Sequence, residues 1–395
     1  MRLVAESKNS RDSQIIWVLI RAIRVIRVTK IGAQKFRVTK ICFHTFALVQ
    51  EDEIYMQRCF QLARLGMKHV KPNPMVGAVL VHNKRIIGEG YHEQFGLAHA
   101  EVNCIQNVTS ADKYLIPEST MYVSLEPCIH FGKTPPCADL IIQSGIKKVI
   151  IASSDPFTEV NGGGIKKLQD AGINIVTPFL EKDAWELNKR FFTFHSRQRP
   201  YIILKWAQSN DDKIASMGKR EQISNSITNA LVHKWRSEEG AIIIGTNTAT
   251  IDDPSLTTRH WPGPNPLRVV VDMNLRIPAT AAIFTDVEPL ILLNAHLEKR
   301  EGKTTFYKCN RETMLQEVVS YLYRRNITSL IVEGGSILLQ SFIDLGLWDE
   351  ARVITNRSLT IPGGVQAPVL TDALENSSFE ISNDEIRICK KGHTA

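Results

Sequence analysis

His99-Ala100-Glu101, Pro127-Cys128 and Cys137 are the residues of this chain best suited to chemistry. One imidazole and two thiolates are donors that zinc favours in a tetrahedron, and three protein ligands leave the fourth position to water in a catalytic centre. Glu101, two residues from His99, is then no ligand but the carboxylate that moves protons between water and substrate. A structural zinc would need one more ligand, for which His130 is the candidate, and would leave Glu101 without a purpose. Cys128 is expected at a helix start, where the dipole favours thiolate. The other cysteines (Cys42, Cys59, Cys104, Cys309, Cys389) read as small buried hydrophobes, and their odd number and thin spread argue for a reducing compartment.

A second candidate lies at Leu330-Ile-Val-Glu333-Gly334-Gly335-Ser336. Glycines between a strand and a helix let main-chain amides approach a phosphate, although a plain strand-to-helix turn looks the same. No Gly-x-Gly-x-x-Gly follows a first strand, so a Rossmann domain is not supported.

These residues need a scaffold of alternating strands and helices. Ile54, Cys59, Leu62 and Leu65 fit an amphipathic helix, followed by strands at Met75–Val81, Thr120–Leu125, Lys148–Ala152 and Ile173–Val176, with helices near Ala98–Asn107, Ala138–Ser144 and Gly162–Ala171. This predicts an α/β domain over 51–197. The polar segment His195-Ser-Arg-Gln-Arg199 marks a boundary. A second α/β domain over 198–395 follows, with strands at Tyr201–Lys205, Ala241–Gly245, Arg268–Asp272, Leu290–Leu293 and Ser329–Val332, and helices at Ile227–Glu238, Arg311–Arg324 and Ser336–Asp344.

The charge is unevenly placed. Residues 1–50 hold ten Lys/Arg against Glu6 and Asp12, so the formal +7 of the chain less this +8 leaves −1 for 51–395. A near-neutral body argues against nucleic acid as a partner. The basic leader is expected to be a disordered or non-native extension; a transit peptide and a nucleic-acid arm are its alternatives. No apolar run approaches the roughly 18–20 residues of a membrane span, so a cytoplasmic protein without membrane partners is expected.

The flanking residues are more specific. Pro72-Asn73-Pro74-Met-Val-Gly77, Gly88-Glu-Gly-Tyr-His92-Glu-Gln-Phe-Gly96-Leu-Ala-His99-Ala-Glu101 and Glu126-Pro-Cys128-Ile-His130-Phe-Gly132-Lys-Thr134-Pro-Pro-Cys137 closely resemble the deaminase half of the RibD family of bifunctional riboflavin-biosynthesis enzymes. The resemblance runs from Glu51 to the C-terminus. It implies a cytidine-deaminase-like three-layer α/β domain, then a dihydrofolate-reductase-like α/β domain. It also implies Zn2+ and NADPH as cofactors, a phosphorylated pyrimidine as substrate, and a homodimer or higher homo-oligomer. Asn73, His92 and His130 would line the deaminase pocket, although Pro-Asn-Pro also forms turns unaided. In the reductase half, Arg236, Leu256, Arg259 and Glu333 would meet substrate, the arginines clamping its phosphate; Ala207, Thr248, Asp252, Gly335 and Ser336 would meet NADPH. Lys219–Ser224 is expected to be a flap over the cofactor. Asp212, Arg220 and Gln222 depart from the family pattern, as does Phe157-Thr158. Two other readings stay open: a nucleic-acid or nucleoside zinc deaminase with an appended binding domain, and a non-catalytic zinc scaffold. The wide Cys128–Cys137 spacing speaks against the first, since those deaminases use a compact Pro-Cys-x-x-Cys.

Overall fold

Strand alternation decides how the first half is layered. The computed structural model describes residues 51–392 apart from 130, 132–134, 157–161, 220 and 286–287, so the expected leader, His130, Phe157-Thr158 and Arg220 lie outside the described residues. In chain order the first half contains α1 (Glu51–Leu65), β1 (Gly77–His82), β2 (Arg85–Tyr91), α2 (Ala100–Gln106), β3 (Thr120–Val123), α3 (Cys137–Gln143), β4 (Lys148–Ile151), α4 (Gly163–Asp170), β5 (Asn174–Val176), α5 (Glu181–Leu187) and α6 (Lys189–Arg197). The sheet order is β2-β1-β3-β4-β5, with β1 antiparallel to both neighbours and β3, β4 and β5 parallel. Ala78, Leu80, Met121, Val123, Val149 and Ile151 pack with Ala100 and Cys104 of α2, Ala138 and Ile141 of α3 and Leu168 of α4. The alternate residues Val79, Val81, Tyr122 and Ile150 pack with Met56, Cys59 and Phe60 of α1 and Ala184 and Leu187 of α5. Period-two alternation thus places helices on both faces, giving three layers.

The second half contains β6 (Tyr201–Ser209), β7 (Lys213–Ala215), α7 (Ser226–Glu238), β8 (Ala241–Gly245), α8 (Thr246–Asp252), β9 (Leu267–Val271), α9 (Ala282–Thr285), β10 (Leu290–Asn294), β11 (Lys299–Glu301), β12 (Thr304–Lys308), α10 (Met314–Arg324), β13 (Ser329–Val332), α11 (Ser336–Asp344), β14 (Glu350–Asn356), β15 (Val365–Gln366), β16 (Ala373–Ile381) and β17 (Asp384–Lys391). Ten strands form one sheet in the order β11-β12-β10-β9-β8-β13-β6-β14-β17-β16. From β12 to β14 neighbouring strands run parallel, and the outer strands β11, β17 and β16 are antiparallel. The α7 helix starts on a sound cap, Asn225 accepting from the amides of Ile227 and Thr228.

The structure adds elements the sequence patterns did not predict. Residues 246–252 form α8, and β14, β16 and β17 complete one end of the sheet. The polar segment at His195 is not a linker throughout: α6 runs through it to Arg197, burying Phe191, Phe192 and Phe194. The left-handed residue Gln198 then ends the helix. Asp212, expected to depart from the pattern at this loop, adopts a left-handed backbone (φ 56°), a conformation open to Asp and easiest for Gly. Among the described residues no helix is long and apolar enough to cross a membrane.

Charged contacts join the two halves. Lys189 donates to Glu350 at 2.6 Å, and Arg190 forks onto Glu239 at 2.8 and 2.5 Å. Arg197 at the end of α6 donates to Asp349 at 3.1 Å, a carboxylate that within the second half also takes the Arg199 fork and the Ile202 amide. Buried pairs of this kind add little net stability but penalise any docking that leaves one partner alone. Burial works against the Glu239 charge, but Arg190 outweighs it and holds the carboxyl near 2.

Candidate active sites

His99 occupies the N-cap of α2, and Glu101 lies in the first turn, 3% exposed. The Asn103 amide donates to Tyr91 O at 2.8 Å and so fixes α2 to β2. Cys137 opens α3 and is buried. Cys128 does not open a helix, contrary to expectation; it lies in an irregular segment after β3, and the Cys137 amide at the start of α3 reaches back to its Sγ at 3.4 Å. The dipole thus acts on Cys128 from a neighbouring helix, through the Cys137 amide.

His99 Nδ1 lies 3.5 Å from Cys128 Sγ and 3.3 Å from Cys137 Sγ, and the three donor atoms all fall within 4.8 Å of one another. Donors 2.0–2.3 Å from a common tetrahedral centre stand about 3.5 Å apart, so the trio fits zinc in size and donor type. Hydrogen bonds from the Cys137 thiol, and then from His99 and the Cys137 amide, hold the Cys128 thiol well below the usual thiol range against the cost of burial. Burial pushes the Glu101 carboxyl up to about 7, with His99 pulling the other way.

His92 stands edge-on to His99, ring centroids 5.3 Å apart. Its Nδ1 lies 3.1 Å from Ala98 O and its Nε2 3.2 Å from Asn73 Nδ2. With the ring proton on Nδ1, Ala98 O accepts it and Nε2 accepts from the Asn73 amide. The structure therefore gathers His99, Cys128, Cys137, Glu101, His92 and Asn73 into one region.

Glu126 lies within the Glu-Pro-Cys motif, whose sequence alone assigns it no role. Buried after β3, its carboxylate accepts from four main-chain amides: Asp155 and Gly162 at 3.1 Å on one oxygen, Gly164 at 2.8 Å and Ile165 at 3.1 Å on the other. A Cβ on Gly164 would sit 2.0 Å from Pro127 O, so only glycine permits this approach.

The second site gathers at the C-terminal ends of parallel strands, where open α/β sheets bind ligands. Arg236 on α7 forks onto Glu333, just beyond β13, at 2.9 and 2.7 Å. Lys205 of β6 lies 3.8 Å from the same carboxylate. Burial opposes the Glu333 charge, but Arg236 and Lys205 hold it near 2; burial in turn lowers Lys205 from its ordinary range. The Arg236 fork is thus engaged by a carboxylate, and the three side chains form a buried cluster of net charge +1. Arg259 is exposed and lies apart from that pair, 3.4 Å from Thr257 Oγ1. His233 joins the two arginines: it is buried edge-on to His260, and burial together with the charges of Arg236, His260 and Arg259 lowers it to about 4. Neither Lys205 nor His233 was assigned a role from the sequence; their positions in Leu-Lys-Trp-Ala and Val-His-Lys-Trp-Arg were the only signal.

Thr248 on α8 accepts from the Gly335 amide at 3.0 Å, bringing two expected cofactor positions into contact. Gly334 has φ 108°, and a Cβ there would meet Thr248 Oγ1 at 2.7 Å. The turn is thus bare of side chains, and α11 starts at Ser336 with no side-chain cap, leaving its first amides open. This fits a phosphate-bearing cofactor such as NADPH. Ala207 lies on β6 beyond its pairing with β13, Asp252 ends α8, and Leu256 is buried in a left-handed backbone (φ 58°), rare for a branched residue. Within the expected flap, Ile223 is buried and its carbonyl accepts from Asn356, while Gln222 is exposed.

Comparison with known proteins covers both halves. Residues 49–153 match the cytidine and deoxycytidylate deaminase zinc-binding region, and residues 200–393 match the RibD C-terminal domain. The riboflavin biosynthesis protein RibD of Aquifex aeolicus is 39% identical over 309 residues, 76% of this chain and 86% of that protein. The RibD of Escherichia coli is 32% identical over 326 residues, covering 77% and 87%. The crystal structure of a diaminohydroxyphosphoribosylaminopyrimidine deaminase/5-amino-6-(5-phosphoribosylamino)uracil reductase from Thermotoga maritima superposes with a TM-score of 0.79 at 31% identity, over 86% of this chain and 99% of that one. The Acinetobacter baumannii RibD structure gives 0.79 at 28% identity, over 87% and 100%. Matched along most of their length by relatives that carry both halves in the same order, the chain belongs to the RibD family of riboflavin biosynthesis, enzymes that join a zinc-dependent deaminase to an NADPH-dependent reductase.

Proposed function

We propose that residues 51–197 deaminate 2,5-diamino-6-(5-phosphoribosylamino)pyrimidin-4-one by hydrolysis, and that residues 198–395 then reduce the ribosyl side chain of the product to ribityl. The observation that carries this reading is the juxtaposition of His99, Cys128 and Cys137 with the buried Glu101, in a chain whose second half holds a separate cationic and glycine-lined site.

His99, Cys128 and Cys137 would hold zinc, which when bound supplies the Lewis acidity that makes water nucleophilic near neutral pH. Glu101 takes a proton from the attacking water and returns it to the departing ammonia; a carboxyl raised to about 7 by burial can do both near neutrality. Asn73, His92 and His130 hold the ring and ribose against the centre.

NADPH supplies hydride when bound. Ala207, Thr248, Asp252, Gly335 and Ser336 would hold it, the bare turn receiving phosphate. Glu333 meets the ribosyl hydroxyls while Arg236 and Lys205 fix its position, and Arg259 with the backbone at Leu256 meets the substrate phosphate. Positioning and electrostatics carry the hydride step. The enzyme acts in the cytoplasm as a homodimer or higher homo-oligomer, with neither nucleic acid nor membrane as partner.

Mass spectrometry of the pyrimidine incubated with zinc-loaded protein tests the reading. Exchange of amine for carbonyl adds about one dalton without NADPH, and reduction adds about two more with it. Absence of the first step overturns the deaminase reading, and absence of the second alone overturns the reductase reading.

A further inference from the structure

The loop that carries Asn73 belongs to the deaminase half but is held by the reductase half. Lys68 Nζ donates to Pro262 O at 2.6 Å, and Lys71 Nζ donates to Glu238 O at 2.6 Å. Those two carbonyls lie beside the second site: Glu238 ends α7 two residues after Arg236, and Pro262 follows Arg259 by three residues. On the far side of Asn73, Met75 exchanges two main-chain hydrogen bonds of 2.8 Å with the Asn188 side chain. Asn188 directly precedes Lys189 and Arg190, whose partners Glu350 and Glu239 are again in the reductase half. The loop is therefore referenced to the second domain before and after Asn73, while Asn73 itself meets His92 at 3.2 Å.

We infer that Lys71, assisted by Lys68, is a positioning residue of the deaminase pocket: through it the reductase half sets the place of Asn73 and hence the affinity of the deaminase for its substrate. The inference rests on the reading of Asn73 as a substrate contact. An ammonium on a carbonyl at a helix C-terminus is well placed, because it meets an acceptor left open by the helix and the negative end of its dipole. Burial lowers Lys71 to about 8, opposed by Glu239, as expected of an amine in a desolvated seam, and the 2.6 Å contact with Glu238 O holds it there. A contact that only docked the domains would affect both activities together; a positioning contact acts on one substrate term of one activity.

The test uses full-length, zinc-loaded protein carrying Lys71→Met, Lys68→Met, both, or Lys71→Arg, with Asn73→Ala as reference. Lys71→Met is expected to raise the deaminase KM about tenfold, as loss of one hydrogen bond from a charged group would. Its deaminase kcat, and the reductase kcat/KM on pre-deaminated substrate, should stay within about threefold of the parent, and Lys71→Arg should recover most of the KM. Lys68→Met, at a more accessible amine, should give a smaller rise and keeps the inference testable if Lys71→Met does not fold. If Asn73→Ala raises KM while the lysine variants, singly and together, do not, the inference is overturned and the reading of Asn73 survives. If Asn73→Ala leaves KM unchanged, both fall. A parallel decline of both activities and of thermal stability in the lysine variants would also overturn it, leaving the lysines as docking contacts.

Discussion

Glu126→Gln exchanges one carboxylate oxygen for an amide nitrogen that cannot accept. Among the described residues four main-chain amides converge on the two oxygens, two on each, so either amide orientation leaves one buried and one part-buried donor facing another donor. Hydrogen bonds to a charged acceptor contribute about 1.5–3 kcal/mol each, so losing two costs about 3–6 kcal/mol. At about 2–4 °C per kcal/mol for a domain of this size, the deaminase transition should fall by roughly 6–24 °C. The loss is local to the segment that carries Cys128, and zinc transfer to a competing chelator should accelerate about tenfold, in the range expected when residues supporting a ligand are removed. Differential scanning calorimetry and a chromophoric chelator read the two effects, and Gly164→Ala, which drives a Cβ into Pro127 O, should reproduce both. A transition lowered by less than about 3 °C with unchanged zinc transfer would show that solvent satisfies these amides, and the argument from buried donors would fail.

Other perturbations separate the two sites and probe the seam between them. Glu101→Gln should retain zinc by elemental analysis while deamination falls about 10²–10⁴-fold and reduction of pre-deaminated substrate continues; retained turnover would remove Glu101 as the proton carrier. Arg259→Ala should raise the reductase KM at least about tenfold and leave deamination untouched; a stalled deaminase would instead show the two active sites to be coupled. Glu239, held near 2 against an ordinary 4.5, contributes stability that is fully present above pH 4.5 and is lost as pH falls towards 2. Thermal midpoints between pH 7 and 3 should therefore fall less steeply in Glu239→Gln than in the parent, and parallel slopes would remove Glu239 from the acid response.

What could be read in the sequence was what is local or follows a period. The zinc trio announces itself because two ligands sit within nine residues and a third precedes Glu101 by two. The central strands do so because Gly77–His82 or Ala241–Gly245 are short apolar runs buried on both faces. The strand β16 escaped because Ala-Leu-Glu-Asn-Ser-Ser-Phe-Glu-Ile is exposed along most of its length and shows no alternation. The end of α6 escaped because its partners lie in the other half: Phe194 packs on Tyr323, and polarity at 195–199 reads as a linker only when that partner is unknown. Fork pairing of Arg236 with Glu333 joins residues 97 apart, a separation that carries no pattern. Motifs could therefore nominate Arg236 for a phosphate but could not reveal the carboxylate already in its grasp.

The pairing of Lys189 with Glu350 spans 161 residues, and this has a consequence for the nascent chain. At about 5–20 residues per second, a ribosome needs roughly 8–32 s to deliver the carboxylate after the lysine has been made. During that interval the last helix of the deaminase half presents a cationic end to water, beside the phenylalanines it must keep covered. An emerging half-protein with a charged seam is less prone to self-association than one with an apolar seam. The charges that later fix the docking of the two domains thus first act as a solubilising cover while synthesis is incomplete.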